Sequence, residues 1–258
     1  MSVSESACAA SQPAPPRAAA TVVVLRDGID GVQVLLMGRH SGSPFMPGMT
    51  VFPGGKVDAQ DCVSDEGEEQ QARRGAIREL REETALNLKD DAALPCFAHW
   101  LTPEAEARRF DTLFFAARAP LGQDPVGDAK ETTTVQWWSL DRALAANGSE
   151  ILLPPPTLHT LERLVAIGGD VAHLLSRLDS EGRGPCIMPH VVYSGATGPG
   201  AKPRCIAMPW DPLAPNAELF VAQHGPALAA MTAVAVALPA GPAKDRFMLT
   251  AQGFIREF

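Results

Sequence analysis

Between Thr21 and Ser139 a single long helical stretch, Glu68–Leu86, stands among runs of β-branched and aromatic residues, and this constrains the fold most. Thr21–Arg26 (TVVVLR) and Val32–Met37 (VQVLLM) flank Asp27-Gly28-Ile29-Asp30-Gly31, the pattern of a β-hairpin. Met49–Phe52 predicts a short strand entering a Gly54-Gly55 turn. Cys96–Leu101 (CFAHWL) and Thr112–Ala117 (TLFFAA) predict antiparallel strands joined by TPEAEARRFD. Val135–Ser139 (VQWWS) predicts a further strand ahead of a short helix, Leu140–Ala146. Strand runs around a single long helix indicate an α/β (α+β) sandwich.

Within that helix lies Arg78-Glu79-Leu80-Arg81-Glu82-Glu83. At helical spacing Glu79, Glu82 and Glu83 share one face, while Ile77, Leu80 and Thr84 lie on a neighbouring face that packs inward. Three carboxylates that close repel one another unless cations sit among them. Hard oxygen ligands beside a glycine turn, where backbone can approach a phosphate, suit a divalent cation carrying a phosphorylated substrate. Arg/Glu runs are more often solvated faces, but the glycine pair upstream and the strands on either side favour the metal platform. Arg78 precedes Glu82 by four, a helical ion-pair distance. Arg39, ending the VQVLLMGR strand, could clamp a diphosphate by bidentate contacts. Phe45, Met46 and His99 are expected to fill or satisfy the core.

Residues 52–86 resemble the box of the Nudix hydrolases, G-x5-E-x7-R-E-U-x-E-E-x-G-U, where U is aliphatic. Arg78, Glu79, Leu80, Glu82, Glu83 and Leu86 fit its second half. In the first half the glutamate position falls on Gln70 and the glycine position on Ser64, so Gly54-Gly55 stands well upstream, as though Gln60–Glu69 held an insertion. The helix-ending glycine is replaced by Ala85; if φ > 0 is required there, alanine costs on the order of 1 kcal/mol. The resemblance implies a Nudix-type α/β/α sandwich with a mixed central sheet. It implies Mg²⁺ or Mn²⁺ held by Glu79, Glu82 and Glu83, with Glu82 and Glu83 catalytic and Arg78 orienting a box glutamate. It further implies a base from a loop outside the box, Glu131 before Asp128, and phosphates lying against the backbone of Gly54 and Gly55.

WLTP at 100–103, RRFDTLFFAARAP, Trp137-Trp138 and FPGGKVDAQD at 52–61 are similar to a subgroup that includes the peroxisomal coenzyme A diphosphatases and bacterial relatives. That subgroup tolerates an insertion between the glycines and the RE..EE helix. It implies hydrolysis of coenzyme A or an acyl derivative. A nucleotide sugar or a dinucleotide is the alternative substrate. From another class, a Nudix-shaped binding or regulatory module without turnover is the alternative, supported by Gln70 and Ala85.

The net charge of −8 offers no basic stripe for a nucleic acid, yet leaves a phosphorylated small molecule open where cations reverse the local field. The longest apolar run, Ala227–Ala240, contains Thr232 and ends at Pro239, so no membrane span is expected. Residues 1–19 are expected to form a disordered lead without a secretion signal. The 5 scattered cysteines imply reduced thiols in a cytoplasmic protein. The Nudix domain is expected over 20–150, with a helical and irregular extension over 151–258 packed on it. The extension begins with two amphipathic helices broken at Gly168-Gly169, and Ala227–Leu238 reads equally as helix or buried strand. Covering the sheet, lining the pocket and forming a homodimer contact are its three open roles.

Overall fold

The computed structural model describes residues 13–89, 94–128, 132–194, 202–231, 245–250 and 253–257. The hairpin forms as β1 (Arg17–Gly28) and β2 (Gly31–Arg39), turning at Ile29-Asp30. Strand pairing already begins at Arg17, inside the expected disordered lead, because β6 (Phe110–Arg118) supplies a parallel partner along β1 from Arg17↔Phe110 onward. Then come β3 (Thr50–Val51), β4 (Gly54–Lys56), α1 (Glu68–Thr84), β5 (Cys96–Leu101), β7 (Thr132–Ser139), α2 (Leu140–Ala146), α3 (Pro155–Ile167), α4 (Val171–Glu181) and β8 (Cys186–Ile187).

These strands build one eight-stranded sheet in the order β3-β2-β1-β6-β5-β8, with β4 on β1 and β7 on β2. The β1–β6 and β5–β8 pairs are parallel and the others antiparallel, which makes the sheet mixed. Period-two alternation sends Ala20, Val22, Val24, Leu35, Leu113 and Phe115 to one face, where Ala72, Ala76, Ile77 and Leu80 of α1 meet them. Val23, Leu25, Val34, Leu36, Phe114 and Ala116 point the other way, onto α3 and α4. Each such aliphatic side chain, fully buried, stabilises the fold by roughly 1.5–3 kcal/mol. The result is the expected α/β/α sandwich, with α3 and α4 against the second face of the sheet.

One irregularity of the sheet positions the site. β1 pairs with β2 only through Leu25–Gly28. Farther along, β1 takes β4 at Ala19–Thr21, whereas β2 takes β3 at Met37 and Gly38. The two strands therefore part, and residues 50–56 fill the fork, with Val22 N–H donating to Pro53 O at 2.9 Å. The expected Gly54-Gly55 turn is thus an extended strand. A Cβ on Gly54 would lie 2.4 Å from Ala20 O and 2.8 Å from Thr21 Cα, so glycine here serves close strand-to-strand approach.

α3 starts on a proline run at Pro154-Pro155, α4 is capped by Asp170, which accepts from His173 N–H, and the break at Gly168-Gly169 falls where expected. Beyond β8 a second sheet runs β12-β11-β10-β9, from β9 (His190–Ser194), β10 (Lys202–Ala207), β11 (Arg246–Thr250) and β12 (Gly253–Glu257). Its Phe247 joins the core beneath α3, together with Trp210. The undecided alanine-rich stretch is helical as far as Met231, the end of α5 (Ala217–Met231), and 232–238 lies outside the described residues. Among the described residues no helix is long and apolar enough to cross a membrane.

Candidate active site

α1 carries acidic Glu68 and Glu69 in its first turn, where the helix dipole favours them, and stops at Thr84 rather than Leu86. Ala85 caps it in the left-handed region, φ 58° and ψ 5°, with its N–H donating to Arg81 O. The position of the missing glycine does demand φ > 0, and alanine meets that demand at a cost of about 1 kcal/mol. Thr84 Oγ1 donates to Leu80 O and accepts from Leu86 N–H, which turns Leu86 back into the core.

The three glutamates share a face of α1 as expected, but each has a different environment. Glu83 is buried and accepts Gly54 N–H at 2.9 Å. Glu79 lies over Gly55, where a Cβ would sit 2.3–2.5 Å from its carboxylate atoms. Gly55 is therefore the space that seats Glu79. Burial raises the Glu79 carboxyl above the ordinary glutamate range, opposed by the charge and hydrogen bond of Arg78. Glu82 is half exposed.

Arg78, itself buried, ties these groups together. Nη1 donates to Glu79 at 3.0 Å and to Glu82 at 3.1 Å, so the expected Arg78–Glu82 pair forms and a second carboxylate shares the same nitrogen. Nε donates to Asp61 at 3.0 Å, and Nη2 to Asp61 and to Lys56 O, each at 2.9 Å. All five guanidinium N–H donors are engaged. Asp61 carries no role in the sequence reading. It ends a 3-10 turn, Ala59–Asp61, inside the inserted stretch, and also accepts Asp58 N–H at 2.8 Å. Its carboxylate fits against Gly75 of α1, where a Cβ would come within 3.3 Å. The signals for it were an acid closing FPGGKVDAQD and a glycine in mid-helix, where glycine costs about 1 kcal/mol unless packing needs it.

A model of the NUDIX domain matches residues 15–155. The chain belongs to this family of pyrophosphate hydrolases. A NUDIX hydrolase from Alicyclobacillus acidocaldarius is 24% identical with a TM-score of 0.55, the match covering 62% of this chain and 96% of that one. A MutT NUDIX hydrolase from Burkholderia pseudomallei is 23% identical with a TM-score of 0.43, over 58% of this chain and 98% of that one. No curated protein matches.

In this Nudix chain Gln70 is exposed in the first turn of α1, eight positions ahead of Arg78, and Asp61 supplies the acid that Arg78 meets. Arg39 stands half-buried at the end of β2, beside β3, and its Nε has no hydrogen-bond partner among the described residues. It forms no ion pair with the α1 carboxylates. Glu131 lies outside the described residues. His99 pairs with Asp111 and Phe45 packs edge-on to Phe110 at 4.8 Å, but both residues are only partly buried and stand outside the core clusters in which they were expected.

Among the described residues no three His, Cys, Asp or Glu side chains converge as they stand closely enough to hold an ion. The donor set nevertheless fits a hard divalent cation in kind. Glu79 is a partly buried carboxylate that accepts one N–H from a nitrogen shared with Glu82, and Glu82 faces solvent.

Proposed function

We propose that the protein hydrolyses a diphosphate linked to another moiety, using Mg²⁺ or Mn²⁺, with water attacking phosphorus. The observation that carries this reading is the meeting of Glu79 and Glu83 of α1 with the Gly54-Gly55 strand at the fork of the sheet, with Glu82 joined to Glu79 through Arg78. Glu79 and Glu83 would hold the cation, with Glu82 either a third ligand or retained by Arg78. When bound, the cation neutralises diphosphate oxygens and lowers the pKa of a bound water. The chain's own groups orient that face: Gly54 N–H fixes Glu83, Gly55 leaves room for Glu79, and Arg78 Nη1 holds Glu79 and Glu82 together. Arg39, with Nε unengaged, is the group proposed to clamp the diphosphate. Glu131 is the proposed base.

For the leaving moiety, coenzyme A or an acyl derivative is proposed from the subgroup resemblance, with a nucleotide sugar or dinucleotide as runner-up. Two residues of the resembling RRFDT run have structural tasks here. Arg109 donates to Thr102 O and Ala14 O, and Asp111 holds His99. They support the fold equally for any substrate. The free thiols of Cys62, Cys96, Cys186 and Cys205 support the proposed cytoplasmic setting.

A diphosphate panel with chromatographic separation of the two phosphomonoester products as readout tests the reading, cleavage of coenzyme A to 3′,5′-ADP and phosphopantetheine supporting the subgroup. On the substrate found, Glu83→Gln is expected to lower kcat more than about tenfold, each tenfold being about 1.4 kcal/mol, with the fold retained. Unchanged turnover in that variant contradicts the metal assignment. The non-catalytic reading is favoured by one feature: Arg78 and Gly54 N–H already engage all three glutamates. Ligand binding by calorimetry without Mg²⁺ dependence, and no hydrolysis across the panel, would establish it.

A further inference from the structure

The geometry points to Asp61 as a positioning residue that sets the cation affinity of the α1 face by holding Arg78 in place; this rests on the metal-dependent reading above. The guanidinium is planar and presents two edges. One edge, Nε and Nη2, is gripped by the Asp61 carboxylate, at 3.0 and 2.9 Å. The other, Nη1, reaches Glu79 and Glu82. A grip on the first edge fixes where the second points, because the group is rigid and its donors leave in set directions.

Asp61 is only 3% exposed, against a half-exposed Glu82, so the anchored edge lies inside the protein and the working edge at its surface. The anchor is itself anchored. Asp58 N–H donates to Asp61 Oδ2, and Arg74 Nε–H donates to the main-chain Asp61 O at 2.8 Å. Gly75 provides the room against α1.

Without the Asp61 charge, Arg78 loses its fixed counter-ion. It would then turn more fully onto Glu79 and Glu82 and leave the local field more positive. Both effects oppose a cation in the same place. Hydrogen-bonded partners behind a metal ligand typically govern roughly ten- to a hundredfold in affinity.

The test is Mn²⁺ binding to the full chain, free of substrate, followed by calorimetry. Asp61→Asn is expected to weaken Mn²⁺ binding roughly tenfold or more and to lower kcat with little change in KM. Asp61→Glu, which restores the charge on a longer arm, is expected to recover part of the affinity. Arg73→Ala removes contacts from the same helix to Leu94 O and Glu69 and touches neither Asp61 nor Arg78; it should lower the melting temperature and leave Mn²⁺ affinity unchanged. If Asp61→Asn does not fold, Asp61→Ser, which admits water to Nε and Nη2, is measured in the same way. Wild-type Mn²⁺ affinity in folded Asp61→Asn or Asp61→Ser overturns the proposal, as does an equal loss in Arg73→Ala. These titrations read Asp61 separately from turnover: absence of any hydrolysis in the panel would defeat the hydrolase reading while leaving the Mn²⁺ comparison intact.

Discussion

Two buried arginines, Arg78 beneath the α1 face and Arg256 in the second sheet, have similar partners and opposite surroundings. Arg256 donates through Nε and Nη2 to Asp245, each at 2.7 Å, and through Nη1 to Glu162. Asp245 is wholly buried and also accepts from Trp210 Nε1–H, so this network closes on itself in the core. Arg78 is gripped by a buried aspartate in the same forked manner, but its remaining nitrogen serves carboxylates that reach solvent. The closed network joins β11 and β12 to α3. The open one leaves charge where a cation can share it. Buried ion pairs are weak evidence of net stability but costly to break by halves, and that rule is expected to hold for both networks.

The comparison is most strongly challenged by Asp245→Ala. Leaving Arg256 without its main counter-ion should cost about 3–5 kcal/mol in denaturant unfolding, while the folded protein keeps its kcat. A loss of kcat in folded Asp245→Ala would show that the closed network also serves the site.

The glycine pair sharpens the contrast next. Gly55→Ala meets only the end of the Glu79 side chain, so the protein should fold but displace that carboxylate, lowering turnover by about a hundredfold. Gly54→Ala meets the backbone of Ala20 and Thr21, so the loss should appear in stability, about 1–3 kcal/mol. The pair was legible in the sequence as a backbone special case, though not as which one. Glycine marks a turn as readily as a close approach, and only the fork between β1 and β2 decides.

The α1 face was legible because helical spacing alone brings Glu79, Glu82 and Glu83 together and turns Leu80 inward. Asp61 was not, because a 3-10 turn carries it back to Arg78 across 17 positions, a contact that no local period encodes. The two-residue β8 and the second sheet were likewise beyond periodicity, since their strands are short and their partners distant.

Ala85→Gly should stabilise the protein by roughly 0.5–1 kcal/mol, the relief of φ > 0 strain offset by greater freedom of the unfolded chain, with activity unchanged. A neutral or negative effect would show that the cap is unstrained.

The smallest effect is in pH dependence, where the two networks should differ in sign. Burial pushes the Asp61 carboxyl up, but hydrogen bonds from Arg78 and Asp58 N–H and the charges of Arg78 and Arg74 bring it below the usual 3.8. Its contribution is therefore full above pH 3.8 and lost as pH falls through its lower folded value. Burial raises Glu162 above 4.5, overriding the charge and hydrogen bond of Arg256. Its contribution is full below pH 4.5 and lost as pH rises through its higher folded value. Asp61→Asn should flatten the acid limb of the stability profile, and Glu162→Gln the limb above pH 4.5; the reverse assignment would contradict the contrast.

The most direct measurement is calorimetric titration of the full chain with Mn²⁺, comparing the wild type with Glu79→Gln and Glu83→Gln. Binding in the wild type that weakens by about tenfold or more in each folded variant is the predicted result. Equal Mn²⁺ affinity in all three proteins would contradict the assignment of the α1 face as the cation site.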